Sequence, residues 1–164
     1  MTTRRIRPGE VQLFKSLRLR ALQDAPYAFS STYEAALQRT DQSWQEQAER
    51  TARGADRATF FAFMGDEAIG MAALYRLEDQ AQVGELLQVW VAPGQRGGQT
   101  TKCLIDGVFA WAAANHFCKI VAVVHRENHR AIQFYLRYGL KPLEVLDPPA
   151  LDLENLTLVR EVVS

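Results

Sequence analysis

The segment LLQVWVAPGQRGGQTTKCL has the pattern of a strand that passes through a glycine-rich loop into a helix, and it limits the folds open to this chain. Residues 82–91 have the apolar pattern of a strand, residues 93–98 interrupt it, and residues 100–115 have helical spacing. A near-continuous apolar run follows at residues 119–124 and is typical of a buried central strand. Strand, helix and strand in this order predict a βαβ unit.

The rest of the chain supplies the other elements of a sheet with helices on both sides. Further strands are predicted at residues 4–8, 59–64, 68–77, 140–146 and 156–162. Helices are predicted at residues 10–23, at 32–37, after 40–41 with Asp41 or Ser43 as N-cap, and at 128–138. We expect one α/β (α+β) domain over residues 1–164, with a mixed, mostly antiparallel central sheet of about seven strands flanked by helices on both faces.

Composition narrows the classes of function. Lys+Arg and Asp+Glu both number 19, so the formal net charge is zero and no nucleic-acid partner is expected. No apolar run approaches the length of a membrane span, so no membrane partner is expected either. The N-terminus lacks the apolar region of a secretory signal, which predicts a cytoplasmic protein. Cys103 and Cys118 have no metal-type spacing and are predicted to be buried free thiols.

The glycine-rich loop at residues 93–98 is suited to bind phosphate. Backbone N–H groups at a helix N-terminus meet the positive end of the helix dipole, and glycine allows a phosphate to approach closely. A plain glycine-rich turn explains the loop equally well. The nucleotide-binding lysine motif is absent because Lys102 follows Thr101 and not a glycine, and the G-x-G-x-x-G pattern is absent too.

A second informative segment is ENHRAIQFYLRYGL, residues 127–140. Asn128 is predicted to cap a helix that Gly139 ends. Structural roles alone would account for both polar residues, with Asn128 as a cap and Tyr135 as a core aromatic.

Together the two segments resemble the GNAT superfamily of acetyl-CoA-dependent N-acetyltransferases. The resemblance extends over about residues 59–146, and residues 19–29 also look like many bacterial members. Its motifs are Val91-x-Pro93-x-x-Arg96-Gly97 and Asn128-x-x-Ala131-x-x-Phe134-Tyr135-x-x-x-Gly139-Leu140.

The resemblance implies an enzyme that passes an acetyl group from acetyl-CoA directly to a primary amine in a ternary complex, without a metal. Tyr135 would protonate the departing thiolate. The strand backbone at Val89 and Val91 would pair with pantetheine, and residues 96–101 would bind the pyrophosphate. The residues implied in binding acetyl-CoA are Val89, Trp90, Val91, Arg96, Gly97, Gly98, Gln99, Thr100, Thr101, Asn128, Ala131 and Phe134. The Trp90 side chain would either line the cleft or pack under a helix.

The loop departs from the family pattern at two positions. Gln99 and Thr101 stand where the family usually has small residues. This departure motivates an alternative, a binding or regulatory module of the same fold with impaired CoA binding. Use of a different acyl-CoA is a further option.

The amine must be neutral to attack, so a base is expected, and Glu85 is the first candidate. A solvated carboxylate with no role is the competing interpretation of Glu85, and Glu78 and His125 are weaker candidates. His125, Glu127 and His129 do not have the spacing of a zinc motif, so no metal site is predicted.

The acceptor itself is not specified beyond a small-molecule or peptide amine. Four aromatic residues precede the predicted sheet hairpin and would either shape the acceptor pocket or pack a helical pair onto the sheet: Tyr27, Phe29, Tyr33 and Trp44. Residues 146–150 are predicted to form a rigid loop that borders either the acceptor site or a dimer contact. Because similar proteins are often dimers, a homodimer is a candidate assembly.

Overall fold

The computed structural model describes residues 1–143 and 154–163. The helices are α1 (Val11–Asp24), α2 (Tyr33–Leu37), α3 (Asp41–Ala52), α4 (Thr100–Ala114) and α5 (His129–Tyr138). The strands are β1 (Thr2–Arg5), β2 (Arg57–Met64), β3 (Glu67–Arg76), β4 (Val83–Val91), β5 (Lys119–His125), β6 (Lys141–Pro142) and β7 (Asn155–Glu161). Among these described residues, no helix is long and apolar enough to cross a membrane.

The strands form one seven-stranded sheet in the order β1-β2-β3-β4-β5-β7-β6. Among the strands of the described residues, the β4–β5 pair alone is parallel, and the other neighbouring pairs are antiparallel. The predicted mixed, mostly antiparallel sheet is therefore confirmed. The parallel pair is joined through α4, as expected for a βαβ unit.

The helices form two layers, one on each face of the sheet. Phe61 of β2 stacks on Phe14 of α1, with ring centroids 6.5 Å apart, and Phe14 in turn meets Trp44 of α3 at 5.9 Å. The preceding residue, Phe60, points to the opposite face, where its ring lies against Gly107 of α4. Because successive strand residues alternate between faces, α1 and α3 lie on one side and α4 on the other. Tyr138 of α5 packs on Phe109 of α4 with centroids 5.4 Å apart, which places α5 beside α4.

The apolar run at residues 119–124 predicts a strand that is buried on both faces. In the structure this strand is buried on one face only. Burial alternates along β5, and Val123 is 48% exposed. Val123 lies on the same face of the sheet as Val121, two residues earlier. Val121 pairs with Glu85, and Glu85 pairs with Tyr75. The Tyr75 hydroxyl accepts a hydrogen bond from α3, so this is the face that carries α1 and α3. The α1 and α3 helices pack on β2 and β3, and among the described residues they leave Val123 on this face of β5 largely uncovered.

Other differences from the sequence expectations are local. The first strand covers residues 2–5 and not 4–8, since its extent is set by pairing with β2. Thr40, and not Asp41 or Ser43, caps α3, and its hydroxyl accepts from the Ser43 N–H at 3.1 Å. Both cysteines are free, as predicted, but neither is fully buried: Cys103 is half-buried and Cys118 is exposed. Of the strand predicted at 140–146, residues 144–146 lie outside the described residues, as does the loop predicted at 146–150.

The parallel pair requires a glycine at position 84, and this generates a testable prediction. A Cβ atom there would lie 2.8 Å from Leu74 Cδ1 and 2.9 Å from Phe117 Cε1, both in the core. Gly84→Ala should therefore lower the free energy of unfolding by about 1–3 kcal/mol, as overpacking does. Urea unfolding followed by circular dichroism measures it. Gly94→Ala is the matched control because nothing lies within 4 Å of its Cβ position; equal stability of the two variants would contradict the prediction.

Candidate active site

The central strands of the sheet separate part-way along their length. β4 and β5 form four residue pairs, the last of which is Leu86–Ala122. Beyond it, β4 continues through residues 87–91 and β5 through 123–125 without pairing with each other. We call the space between these two stretches the β4–β5 cleft. Unpaired backbone groups on a strand edge can bind an extended ligand as an additional strand would.

A β-bulge in β4 coincides with the start of the cleft. Gln88 and Val89 together stand opposite Ala72 of β3, and Gln88 has a φ of 55°. A positive φ is uncommon for a residue other than glycine, and bulges bend the strand that carries them. The bend therefore accounts for the loss of pairing with β5 immediately after Leu86.

The loop that follows β4 leaves the N-terminus of α4 open. Gly97 has a φ of +83°, and a Cβ atom at Gly98 would meet nothing within 4 Å. Gln99 occupies the N-cap position without a side-chain cap, is exposed, and accepts the helical hydrogen bond from Cys103 N–H. The first backbone N–H groups of α4 are thus available to an anion. Thr100 is buried, and its hydroxyl donates a hydrogen bond to the Met1 sulfur at 3.2 Å.

Two residues predicted to bind acetyl-CoA have their side chains held by Asp24, the last residue of α1. The Trp90 indole N–H donates to Asp24 Oδ2 at 2.9 Å, and the Arg96 guanidinium forms an ion pair with the same oxygen. The Arg96 Nε also donates to the Val91 carbonyl at 2.8 Å. Trp90 therefore packs under a helix, and the Arg96 side chain fixes the loop to β4. The Trp90 and Arg96 hydrogen bonds hold the pKa of the Asp24 carboxyl below its ordinary value.

The N-terminus of α5 lies beside the same loop. Asn128 caps α5 as predicted, with its Oδ1 accepting from the Ala131 N–H at 3.3 Å, and Gly139 ends the helix with a φ of 105°. Arg130 Nη2 is 3.8 Å from the position that a Cβ atom would take at Gly97. The starts of α4 and α5 thus converge at the open end of the β4–β5 cleft.

Tyr135 lies on α5, about 9 Å along the helix axis from its first residue. Its side chain is buried, at 7% exposure, and its hydroxyl makes no hydrogen bond with the part of the chain that the structure describes. Burial raises the pKa of Tyr135 far above its ordinary value, so the phenol stays protonated at neutral pH. Phe134 packs edge-on against it, with ring centroids 5.6 Å apart.

The candidate bases occupy different places. Glu85 is half-buried in β4, on the face of the sheet that carries α1 and α3. Glu78 is exposed in the turn after β3, and His125 is exposed at the end of β5. Among residues 1–143 and 154–163, no three histidine, cysteine or acidic side chains form a group that could hold a metal ion.

A cavity of about 190 Å³ lies beside the bulge, on the face of the sheet that carries α1 and α3. Trp44 and Gln88 are among the residues that line it, and Phe29 stacks on Arg18, another lining residue. Of the four aromatic residues predicted to shape an acceptor pocket, Trp44 reaches the cavity directly. The Tyr27 side chain lies outside what the structure describes.

Four residues around the site were not predicted from the sequence: Arg18, Asp24, Gln88 and Arg130. Arg18 had a detectable signal, because it lies four residues after Phe14 and four before Leu22 on the apolar stripe of α1. Asp24 and Arg130 had none, since their partners come from distant parts of the chain or from another helix.

The model of the acetyltransferase (GNAT) family matches residues 18–140 of the chain. No curated protein matches its sequence.

Solved structures share the fold over nearly the whole chain. An acetyltransferase of the GNAT family from Streptococcus pneumoniae has a TM-score of 0.81 at 13% identity, with 99% of each chain covered. PaiA N-acetyltransferase from Thermoplasma acidophilum, in complex with coenzyme A, has a TM-score of 0.77 at 16% identity, with 98% of each covered. Aminoglycoside 6'-acetyltransferase type Ii has a TM-score of 0.73 at 16% identity, covering 100% of this chain and 99% of that one. At sequence identities this low, the similarity shows only that the fold is shared.

The contacts of Asp24 predict a pH-dependent contribution to stability. Since the folded-state pKa is lowered, the contribution is present above the unfolded value of about 3.9 and is lost as the pH falls through the folded value. Asp24→Asn should lower the free energy of unfolding by roughly 1 kcal/mol at pH 7, and by progressively less below about pH 4. Asp66→Asn, in the exposed β2–β3 turn, is the control for urea unfolding at each pH. Identical losses in both variants at pH 7 would contradict the role of Asp24.

Proposed function

The chain belongs to the acetyltransferase (GNAT) family, and we propose that it transfers an acetyl group from acetyl-CoA to a primary amine. The observation that carries the proposal is the separation of β4 and β5 after the Leu86–Ala122 pair, with the starts of α4 and α5 at the open end of the cleft. The coenzyme A complex of the Thermoplasma relative supports the same ligand here.

Acetyl-CoA is bound along the β4–β5 cleft in this proposal. The pantetheine arm, an extended chain with amide groups, pairs with the free edge of residues 87–91 as an added strand. The pyrophosphate lies at the N-terminus of α4, where backbone N–H groups of residues 97–101 are its donors. The exposed position of Gln99 at the N-cap and the open space at Gly98 support binding despite the departure from the family pattern.

Acetyl transfer then requires one nucleophile, one acid and one base. The neutral amine attacks the thioester carbonyl carbon, and the β4 backbone stabilises the oxyanion that forms. Collapse of the tetrahedral intermediate breaks the C–S bond, and the protonated Tyr135 hydroxyl donates its proton to the leaving thiolate. Glu85, directly or through water, takes the proton that the amine loses, from the face that carries α1 and α3. Proximity of the two substrates supplies much of the rate.

Removal of the Tyr135 hydroxyl tests this assignment. Tyr135→Phe should lower kcat for acetylation about 100-fold, because the leaving thiolate loses its acid, while the Kd for acetyl-CoA changes by less than about twofold. Turnover is measured as thiol release from acetyl-CoA in the presence of a panel of primary amines. Tyr138→Phe is the matched control, since that hydroxyl donates to Asp106 on α4 at 2.7 Å. If the two variants turn over equally, Tyr135 is not the acid.

The position of Arg130 predicts a contribution to acetyl-CoA binding. Its guanidinium lies beside Gly97, at the loop that the proposal assigns to pyrophosphate. Arg130→Gln should raise the Kd for acetyl-CoA roughly fivefold, and by less in high salt, where exposed charges are screened. Calorimetric titration with acetyl-CoA at low and at high salt measures the rise in Kd and its dependence on salt. Arg137→Gln, at the far end of the same helix, should have no comparable effect, and a match between the two variants would refute the contact.

A further inference from the structure

The cavity beside the bulge contains a buried positive charge without a counter-charge. Arg18 is 6% exposed, and its Nη1 has no hydrogen-bond partner in residues 1–143 and 154–163. Its guanidinium stacks on Phe29, with the central carbon 4.6 Å from the ring centroid. Burial lowers the pKa of Arg18 to about 10, so the group is still a cation at neutral pH.

The surroundings of Arg18 add a second cation and no anion. Arg39 lines the same cavity, where it stacks over Trp44 at 3.9 Å and donates to Ser43. No carboxylate of the described residues lies within ion-pair distance of either arginine. An uncompensated buried cation is costly, and a bound anion would remove most of that cost.

Three further polar atoms in the cavity wall are buried and unpartnered within the described chain: Trp44 Nε1, Gln47 Oε1 and Gln88 Oε1. Gln47 is oriented by its own Nε2, which donates to the Tyr75 hydroxyl at 3.0 Å. The wall therefore presents a cation and an indole N–H donor together with two amide oxygens. An occupant that satisfies all four has both an anionic oxygen and N–H groups.

We propose that the acceptor is a small primary amine that also carries a carboxylate, which Arg18 binds while Gln88 accepts from the amine end. The inference rests on the proposed function, whose acceptor class it names. A carboxylate with an amine fits better than a phosphate, because a phosphate dianion would face the two amide oxygens with no donor of its own. Gln88 belongs to both the cavity and the bulge that opens the β4–β5 cleft, so the amine is held next to the acetyl group. The cavity, about 190 Å³, is below the roughly 300–1,000 Å³ of sites for drug-sized ligands, which favours a small acceptor.

The test compares amines that carry a carboxylate with the same amines carrying a neutral carboxamide. The L-amino acids are assayed as acceptors, each beside its carboxamide, with acetyl-CoA as donor. We expect kcat/KM to be at least about tenfold higher for the carboxylate, because the amide leaves Arg18 unpaired. In Arg18→Met this preference should disappear, mainly through KM, and Arg18→Lys should restore part of it. Arg50→Met, an exposed arginine of α3, is the matched control and should keep the preference.

Arg18→Met is expected to fold, because replacing an unpaired buried cation by an apolar side chain of similar length is neutral or stabilising. A thermal unfolding midpoint at or above that of the wild type checks this. Arg39→Gln, at the rim of the cavity, is a second variant and should weaken the same preference.

The outcomes separate this inference from the proposed function. Equal kcat/KM for acids and amides, or a preference that survives in Arg18→Met, overturns the inference and leaves the acetyltransferase proposal intact. If no amine is acetylated, the proposed function fails and the acceptor assignment fails with it, and calorimetric titration of the amino acids alone tests the remaining part of the inference, that Arg18 binds their carboxylate. Binding that is lost in Arg18→Met supports it, whereas absence of binding to the wild type overturns it.

Discussion

The site depends on the end of one strand pairing. β4 and β5 pair for four residues, and the bulge at Gln88 then turns β4 away. The inserted residue also changes which side chains face each layer. Leu86, which pairs with Leu74, faces α4, and so does Val91, which pairs with Gly70. Trp90 faces α1 instead. The positive φ of Gln88 lies between two paired positions, Leu87 with Ala73 and Trp90 with Met71, and strained backbone persists where the surrounding structure fixes it in this way.

The α1 helix connects the two halves of the site. Asp24, at its C-terminus, holds Trp90 and Arg96 and so fixes the loop that the proposal assigns to pyrophosphate. Arg18, six residues earlier and about 9 Å along the same helix, lies in the cavity on the acceptor side. One rigid helix thus sets the position of the donor loop relative to the acceptor cavity, and positioning of this kind contributes to rate in two-substrate reactions.

Local sequence signals predicted most of the fold. The α5 helix was specified at both ends by Asn128 and Gly139, and the run from β4 through α4 to β5 predicted the parallel pair. Signals of this kind need only near neighbours. The bulge was not predicted, because Gln88 has no intrinsic preference for a positive φ and tertiary packing imposes it. The Asp24 contacts were missed for the same reason, since they join residues 66 and 72 positions apart.

In the proposed function, acyl-CoA binds in the β4–β5 cleft and at the N-terminus of α4. Hydrogen–deuterium exchange of the whole protein with and without acetyl-CoA tests this binding mode, because the backbone N–H groups involved lack partners in the sheet and in the helix. We expect slower exchange in peptides that cover residues 87–91 and 97–102 when acetyl-CoA is bound. Unchanged exchange there with saturating acetyl-CoA, or protection confined to another region such as α3, would contradict it.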